Sequence, residues 1–140
     1  MNINARKKEI LEELSYLPDW EDKYAYIIDL GKKLSLLEDV YKTEENRIHG
    51  CISNLWLTYK IDDDGKYQFY ADSDSFLVKG LLAIIIRILS DSKAEEILSF
   101  DLNKLIEELN LKTFLTPNRN NGFVSVINTI KNICNNPPTK

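Results

Sequence analysis

The chain has 140 residues, 44% hydrophobic and 29% charged, with a formal net charge of -4; this is the profile of one soluble globular domain that buries roughly two-thirds of its unfolded surface. Its 18 basic residues are interleaved with 22 acidic ones, which argues against a phosphate-binding surface and so against a nucleic-acid partner. Cys51 and Cys134 are too few for a disulfide framework, and the charged opening MNINARKKEILEEL lacks a signal-peptide core, so a reducing cytoplasm is expected.

Hydrophobic spacing predicts a first helix near 4–15, with Ile10, Leu11 and Leu14 on one face. Pro18 ends it, and Asp19 caps a second helix to about Lys33, with Tyr24, Ile27, Ile28 and Gly31 on one stripe. From Asn46 the period changes. The aromatic and β-branched runs 54–61 and 66–71 flank Asp62-Asp-Asp-Gly65 and predict a hairpin. A short strand at Arg47–His49 is expected as a third member. The apolar run Phe76 to Leu89 contains Lys79 and Arg87 and falls short of the about 20 apolar residues a membrane span takes; it reads as a buried helix capped by Ser73 or Asp74. Gly80 within it points to close backbone packing against its helix cost of about 1 kcal/mol. Ser92-x-x-Glu95 has capping-box spacing for a short helix to Leu98, and Asp101 caps another to about Leu109. Thr116-Pro117 opens a last helix ending near Cys134, and 135–140 reads as a frayed tail. The expectation is one α+β domain over 1–140, a small antiparallel sheet of about three strands packed with several helices.

Cys51 lies in Ile48-His-Gly-Cys-Ile-Ser53, where loop gives way to hairpin. Position alone leaves it open between a reactive loop thiol, with Gly50 relaxing the backbone, and a small buried hydrophobe. Cys134 shares an apolar helical face with Phe123, Val126, Ile127, Ile130 and Ile133, which makes it a packing residue. His49 would share a strand face with Cys51, but neither the orienting group nor the oxyanion hole of a Cys/His hydrolase is identifiable, and it reads as a surface histidine. Asp62–Asp64 fails calcium-loop spacing, because the twelfth position is Ser73. Asp72-Ser-Asp74 reads as helix capping. No zinc-type spacing or glycine-rich phosphate loop appears.

Gly50-Cys-Ile-Ser-Asn-Leu-Trp56, Asp72-Ser-Asp74, Val78-Lys-Gly-Leu81 and Leu115-Thr-Pro-Asn-Arg-Asn-Asn-Gly122 follow one another in an order and spacing that resemble the SufE family, which includes CsdE. The segment Asp19 to Gly31 is similar to that family's N-terminal helix, so the likeness covers roughly 10 to 134. Leu55, Ser75 and Asn118 depart from the usual valine, alanine and serine, and His49 stands at an often basic position; none of these removes a group the chemistry needs.

The resemblance implies an α+β fold similar to IscU. It implies that Cys51 accepts sulfur from SufS, a pyridoxal-phosphate cysteine desulfurase, and hands it to a SufB-containing scaffold complex for iron–sulfur cluster assembly. Gly50, Ser53, Trp56, Asp74 and Arg119 carry over as supporting or partner-binding positions. The chain itself would hold no cofactor or metal and would act as a sulfur-transfer partner with a cysteine persulfide rather than as a stand-alone enzyme. Ile52, Leu55 and Trp56 are close enough in sequence to line a shielding pocket. Three rivals stand beside this: CsdE-like service to another desulfurase, a regulator that binds a desulfurase without using the thiol, and a cluster scaffold, for which one well-placed cysteine is too few ligands.

Overall fold

The computed structural model describes residues 2–49, 54–109 and 117–137, with side chains from 122 onward in the last stretch. Helix α1 spans Ile3–Ser15, capped by Asn2, whose side chain accepts from Ala5 N at 2.8 Å. Helix α2 spans Trp20–Lys33, and Asp19 caps it as expected, accepting from Asp22 N at 2.9 Å. Strands β1 (Leu55–Ile61) and β2 (Lys66–Ser73) pair antiparallel from Leu55↔Ser73 to Ile61↔Tyr67. The aspartate run is their turn. Asp62 Oδ1 accepts from Asp64 N and Lys66 N, and Gly65 takes the left-handed φ of 80° that a side chain resists.

The third strand is a correction. It is β3, Ser92–Lys93, which adds to β2 beside Lys66 and Tyr67 and gives the order β1-β2-β3. The predicted strand at 47–49 shrinks to a single bridge, Arg47↔Trp56. Local β-propensity could not foresee this, because β3 is held in place from far away. Arg6 on α1 donates to Ile88 O at 2.8 Å, Asp91 O at 3.1 Å and Ser92 Oγ at 3.0 Å. Its cation also suits the negative end of the helix that stops there.

That helix, α3, spans Phe76–Leu89 and is the hub. Leu81, Leu82, Ile84, Ile85, Ile88 and Leu89 are buried on it and meet Leu55, Leu57, Tyr67, Phe69 and Ala71 from the hairpin's inner face. Each such aliphatic side chain contributes about 1.5–3 kcal/mol when fully buried. Against its other side α2 packs backbone to backbone: a Cβ on Gly31 would meet Gly80 N at 2.7 Å, and one on Gly80 would meet Ile27 Cγ2 at 2.7 Å and overlap Ile27 O. Gly80 thus has the close-packing role expected of it.

Two caps move. Ser75 caps α3, accepting from Val78 N at 3.4 Å, in place of Ser73 or Asp74. Helix α4 (Ala94–Ser99) makes only the glutamate half of a capping box, one residue later than predicted: Lys93 N donates to Glu96 Oε1 at 3.0 Å, while Ser92 is committed to the sheet and to Arg6. Helix α5 (Leu102–Leu109) is capped by Asp101 as expected. Helix α6 (Pro117–Asn135) begins at the predicted proline; its predicted cap, Thr116, lies outside the described residues. Phe123, Val126, Ile127, Ile130 and Cys134 are buried along α6.

Candidate functional site

Gly50, Cys51 and Ser53 lie outside the described residues, as does Ile52 of the expected pocket. Arg119 falls within α6, and its side chain is outside them too. What is described is how the chain enters and leaves the Cys51 segment. Ile48 N donates to Leu55 O at 2.8 Å and Leu57 N to Asn46 O at 2.8 Å, so the incoming limb lies against the free edge of β1. Ile48 and Leu55 are both buried, which anchors the two limbs in the core.

The outgoing limb is gripped at Asn54. Its backbone N–H donates to Asp74 Oδ1 at 3.2 Å and its Nδ2 to Asp74 Oδ2 at 3.0 Å, while Asp74 N donates to Asn54 O at 3.3 Å. This extends the β1–β2 ladder one step past its last pair. Asp74, expected at a supporting position, is therefore a clamp on this limb rather than a helix cap. Arg47 joins the limbs: it donates to Asn54 Oδ1 at 3.0 Å and pairs with Glu44 at 3.4 Å. His49 is largely exposed, with Nε2 3.8 Å from Glu44 Oε2.

Beside Leu55 a cavity of about 20 Å³ is lined by Leu55, Val78, Leu81, Leu82, Phe123 and Val126, among others. It has room for about one water-sized atom and almost no polar wall. Trp56 is not part of it. Successive strand residues face opposite ways, so Trp56 lies on the outer face, where Lys42 Nζ sits 5.5 Å from its ring centroid.

A buried ion cluster lies on that outer face, across the strand pair from Trp56, and sequence reasoning missed it. Asp72 is 3% exposed and Lys79 5%. Lys79 Nζ stands 3.3 Å and Lys42 Nζ 3.4 Å from the Asp72 carboxylate, which also accepts from Ser73 N at 2.8 Å and Leu37 N at 3.4 Å. Burial alone would push the Asp72 carboxyl up; the Ser73 N–H, Lys79 and the Leu37 N–H together outweigh it and hold it below its ordinary value. The only advance signal was Lys79 near the start of the apolar run of α3. A second ion pair, Arg87 with Glu13, joins α3 to α1; the Arg87 hydrogen bond, opposed by partial burial and helped by Tyr26, lowers the Glu13 carboxyl.

Cys134 is 3% exposed. Burial pushes its thiol up to about 11, which leaves it without thiolate at neutral pH.

Residues 8–134 match the family model SufE, the Fe-S metabolism associated domain. The chain belongs to the SufE family. This SufE-family chain is 39% identical over 131 residues to the cysteine desulfuration protein SufE of Wigglesworthia glossinidia brevipalpis, covering 94% of this chain and 91% of that protein. Its α+β fold recurs in the solution structure of a hypothetical protein from Thermus thermophilus, with a TM-score of 0.75, 19% identity and 93% of each chain covered. Among the described residues no helix is long and apolar enough to cross a membrane.

Proposed function

We propose that Cys51 takes persulfide sulfur from a SufS-like, pyridoxal-phosphate-dependent cysteine desulfurase, stimulating it, and passes that sulfur to a SufB-containing scaffold complex in the cytoplasm. One observation carries the assignment to Cys51. The chain has two cysteines, and Cys134 is buried in the core as an un-ionised thiol. A cysteine desulfuration protein of this family that works through a thiol is left with Cys51.

The step conserves atoms and electrons. The Cys51 thiolate attacks the terminal sulfur of the donor persulfide. A new S–S bond forms on Cys51, the donor's S–S bond breaks, and the donor cysteine leaves as thiolate. No outside oxidant or reductant enters. The new persulfide needs shelter from reductants, and the apolar cavity beside Leu55 is of a size to hold one sulfur atom. Delivery needs the opposite, a segment that reaches into another protein. Ile48 and Leu55 anchor the limbs on either side of that segment, and Gly50 is the residue whose backbone freedom suits the hinge this reading needs. Arg119 serves this reading as a contact for the desulfurase, with Gly50, Ser53, Trp56 and Asp74 supporting the Cys51 segment.

Mass spectrometry after incubation with a desulfurase and cysteine tests the assignment. The expected result is sulfur on Cys51 that dithiothreitol removes, none on Cys51→Ser, and wild-type behaviour for Cys134→Ala. Sulfur found mainly on Cys134 would sink it.

A further inference from the structure

Among the described residues, two lysines stand against the buried Asp72 carboxylate, and one of them, Lys42, also pairs with the exposed Asp39. Lys79 lies as deep as Asp72, with side-chain exposures of 7% and 5%, and is enough to neutralise it. Neutralising Asp72 therefore does not itself call for a second cation. Lys42 is placed differently. Its side chain is 28% exposed, its other carboxylate partner, Asp39, is 98% exposed at 3.5 Å, and it leans over the Trp56 ring. An exposed pair of that kind restrains little, so Asp72 is what fixes Lys42.

Lys42 stands at the root of the incoming limb. The Asp72 carboxylate takes Leu37 N–H and Lys42 Nζ together, closing the short 3₁₀ turn Asp39–Tyr41 between them. From there the contacts run on without a gap. Tyr41 O accepts from Asn46 Nδ2 at 2.8 Å, Asn46 O accepts from Leu57 N, and Ile48 N donates to Leu55 O. Asp72 and Asp74 occupy alternate positions at the end of β2. Asp74 takes the outgoing limb through Asn54, and Asp72 takes the incoming limb through Lys42.

We propose that Lys42, held by the buried Asp72 carboxylate, is a positioning residue for sulfur transfer that sets the incoming limb of the Cys51 segment. This rests on the reading of Cys51 as the sulfur acceptor. Its role in this proposal is to fix the root of the segment that carries Cys51.

The test compares iodoacetamide labelling of Cys51, read peptide by peptide, in the full chain and four variants. Lys42→Met keeps the apolar stem over Trp56 and removes the charge, and Lys42→Gln keeps a polar head. Lys42→Arg restores the charge, and Asp39→Asn removes the exposed partner alone. Lys42→Met and Lys42→Gln are expected to label faster than wild type by about threefold or more, the scale set by one partly exposed ion pair. Lys42→Arg and Asp39→Asn should label at the wild-type rate, and all melting temperatures should lie within a few degrees. With a desulfurase, Lys42→Met should lower the maximal stimulated rate and leave the half-saturating concentration unchanged. Equal labelling of wild type and Lys42→Met overturns the proposal. So does a raised half-saturating concentration with an unchanged maximum, which would make Lys42 a docking contact. Wild-type protein that acquires no sulfur would instead defeat the reading of Cys51, while the labelling comparison would still decide the role of Lys42.

Discussion

The α2–α3 crossing and the corner that holds the Cys51 limbs are both close contacts, built from opposite materials. At the crossing, Gly31 and Gly80 let two backbones meet by close steric contact. At the corner, Asp72, Asp74, Lys42, Arg47 and Asn54 hold chain segments by directional, partly wet hydrogen bonds and ion pairs. Steric contact of the first kind is all-or-none, since packed interiors have little room to give. Polar contact of the second kind is graded: at an exposed partner such as Asn54 water replaces what is lost at modest net cost, while the buried Asp72–Lys79 pair has no such replacement. A fold can be locked by the first while a working segment is tuned by the second.

The largest effect is expected at the crossing. Gly80→Ala puts a methyl against Ile27 O, where only backbone could yield, and should cost about 3 kcal/mol or more. Thermal unfolding would show it as a fall of roughly 10 °C; a near-wild-type midpoint would mean that α2 slides without penalty, breaking the contrast.

Next comes Asp72→Ala, which leaves Lys79 buried without its carboxylate and should cost about 2–3 kcal/mol by denaturant titration. Its wild-type counterpart has a pH signature. The Asp72 carboxyl is held below its ordinary value of 3.8, so its contribution is complete above 3.8 and lost as pH falls through the lower, folded-state value. Asp72→Asn should flatten that acid-side slope. An unchanged slope would place the acid sensitivity elsewhere, with Glu13 next in line, whose carboxyl is also lowered.

Cys134→Ala should cost about 1 kcal/mol, a small cavity in the core. Its thiol is raised from 9.0 to about 11; wild-type stability is therefore full below 9.0 and declines as pH rises toward 11, a decline the variant should lack. The smallest global effect is expected for Asn54→Ala at the corner, a shift in melting temperature within about 2 °C. Amide exchange at Ile48 and Leu55 should nevertheless quicken. Unfolding by Asn54→Ala would show that the corner supports the fold, not only the segment.

The elements set by local chemistry were legible from the residues. Asp19 and Asp101 cap where a side-chain acceptor precedes an apolar period, and the hairpin turns at Asp62–Gly65 for the same kind of local reason. Gly80 announced a close crossing by standing in a helix that would otherwise reject it. Ser75 was overlooked as a cap because Ser73, Asp74 and Ser75 all qualify by type; the choice fell to Ser75 once Asp74 turned to Asn54. β3 was missed because Arg6, 86 positions before Ser92, holds the segment that forms it. For the site, the packing role of Cys134 could be read from its helical face, whereas Cys51 stood out only through the resemblance to a family whose model matches residues 8–134. Leu55 lines an apolar cavity and Trp56 lies on the opposite face of the strand, because side chains alternate along it.

By itself the sequence determined what depends on near neighbours and on residue type: helix periods, caps, the hairpin, the apolar face that takes Cys134, and the ordered motifs of a SufE-family chain. Tertiary structure alone decided which charges meet. Asp72, Lys79 and Lys42 lie on a strand, a helix and a connecting segment, and no spacing along the chain brings them together. A buried carboxylate must find its cations wherever the packed core leaves them. Their meeting point was therefore settled only when α3 closed on the hairpin and the segment from Leu37 to Lys42 came to lie across its outer face.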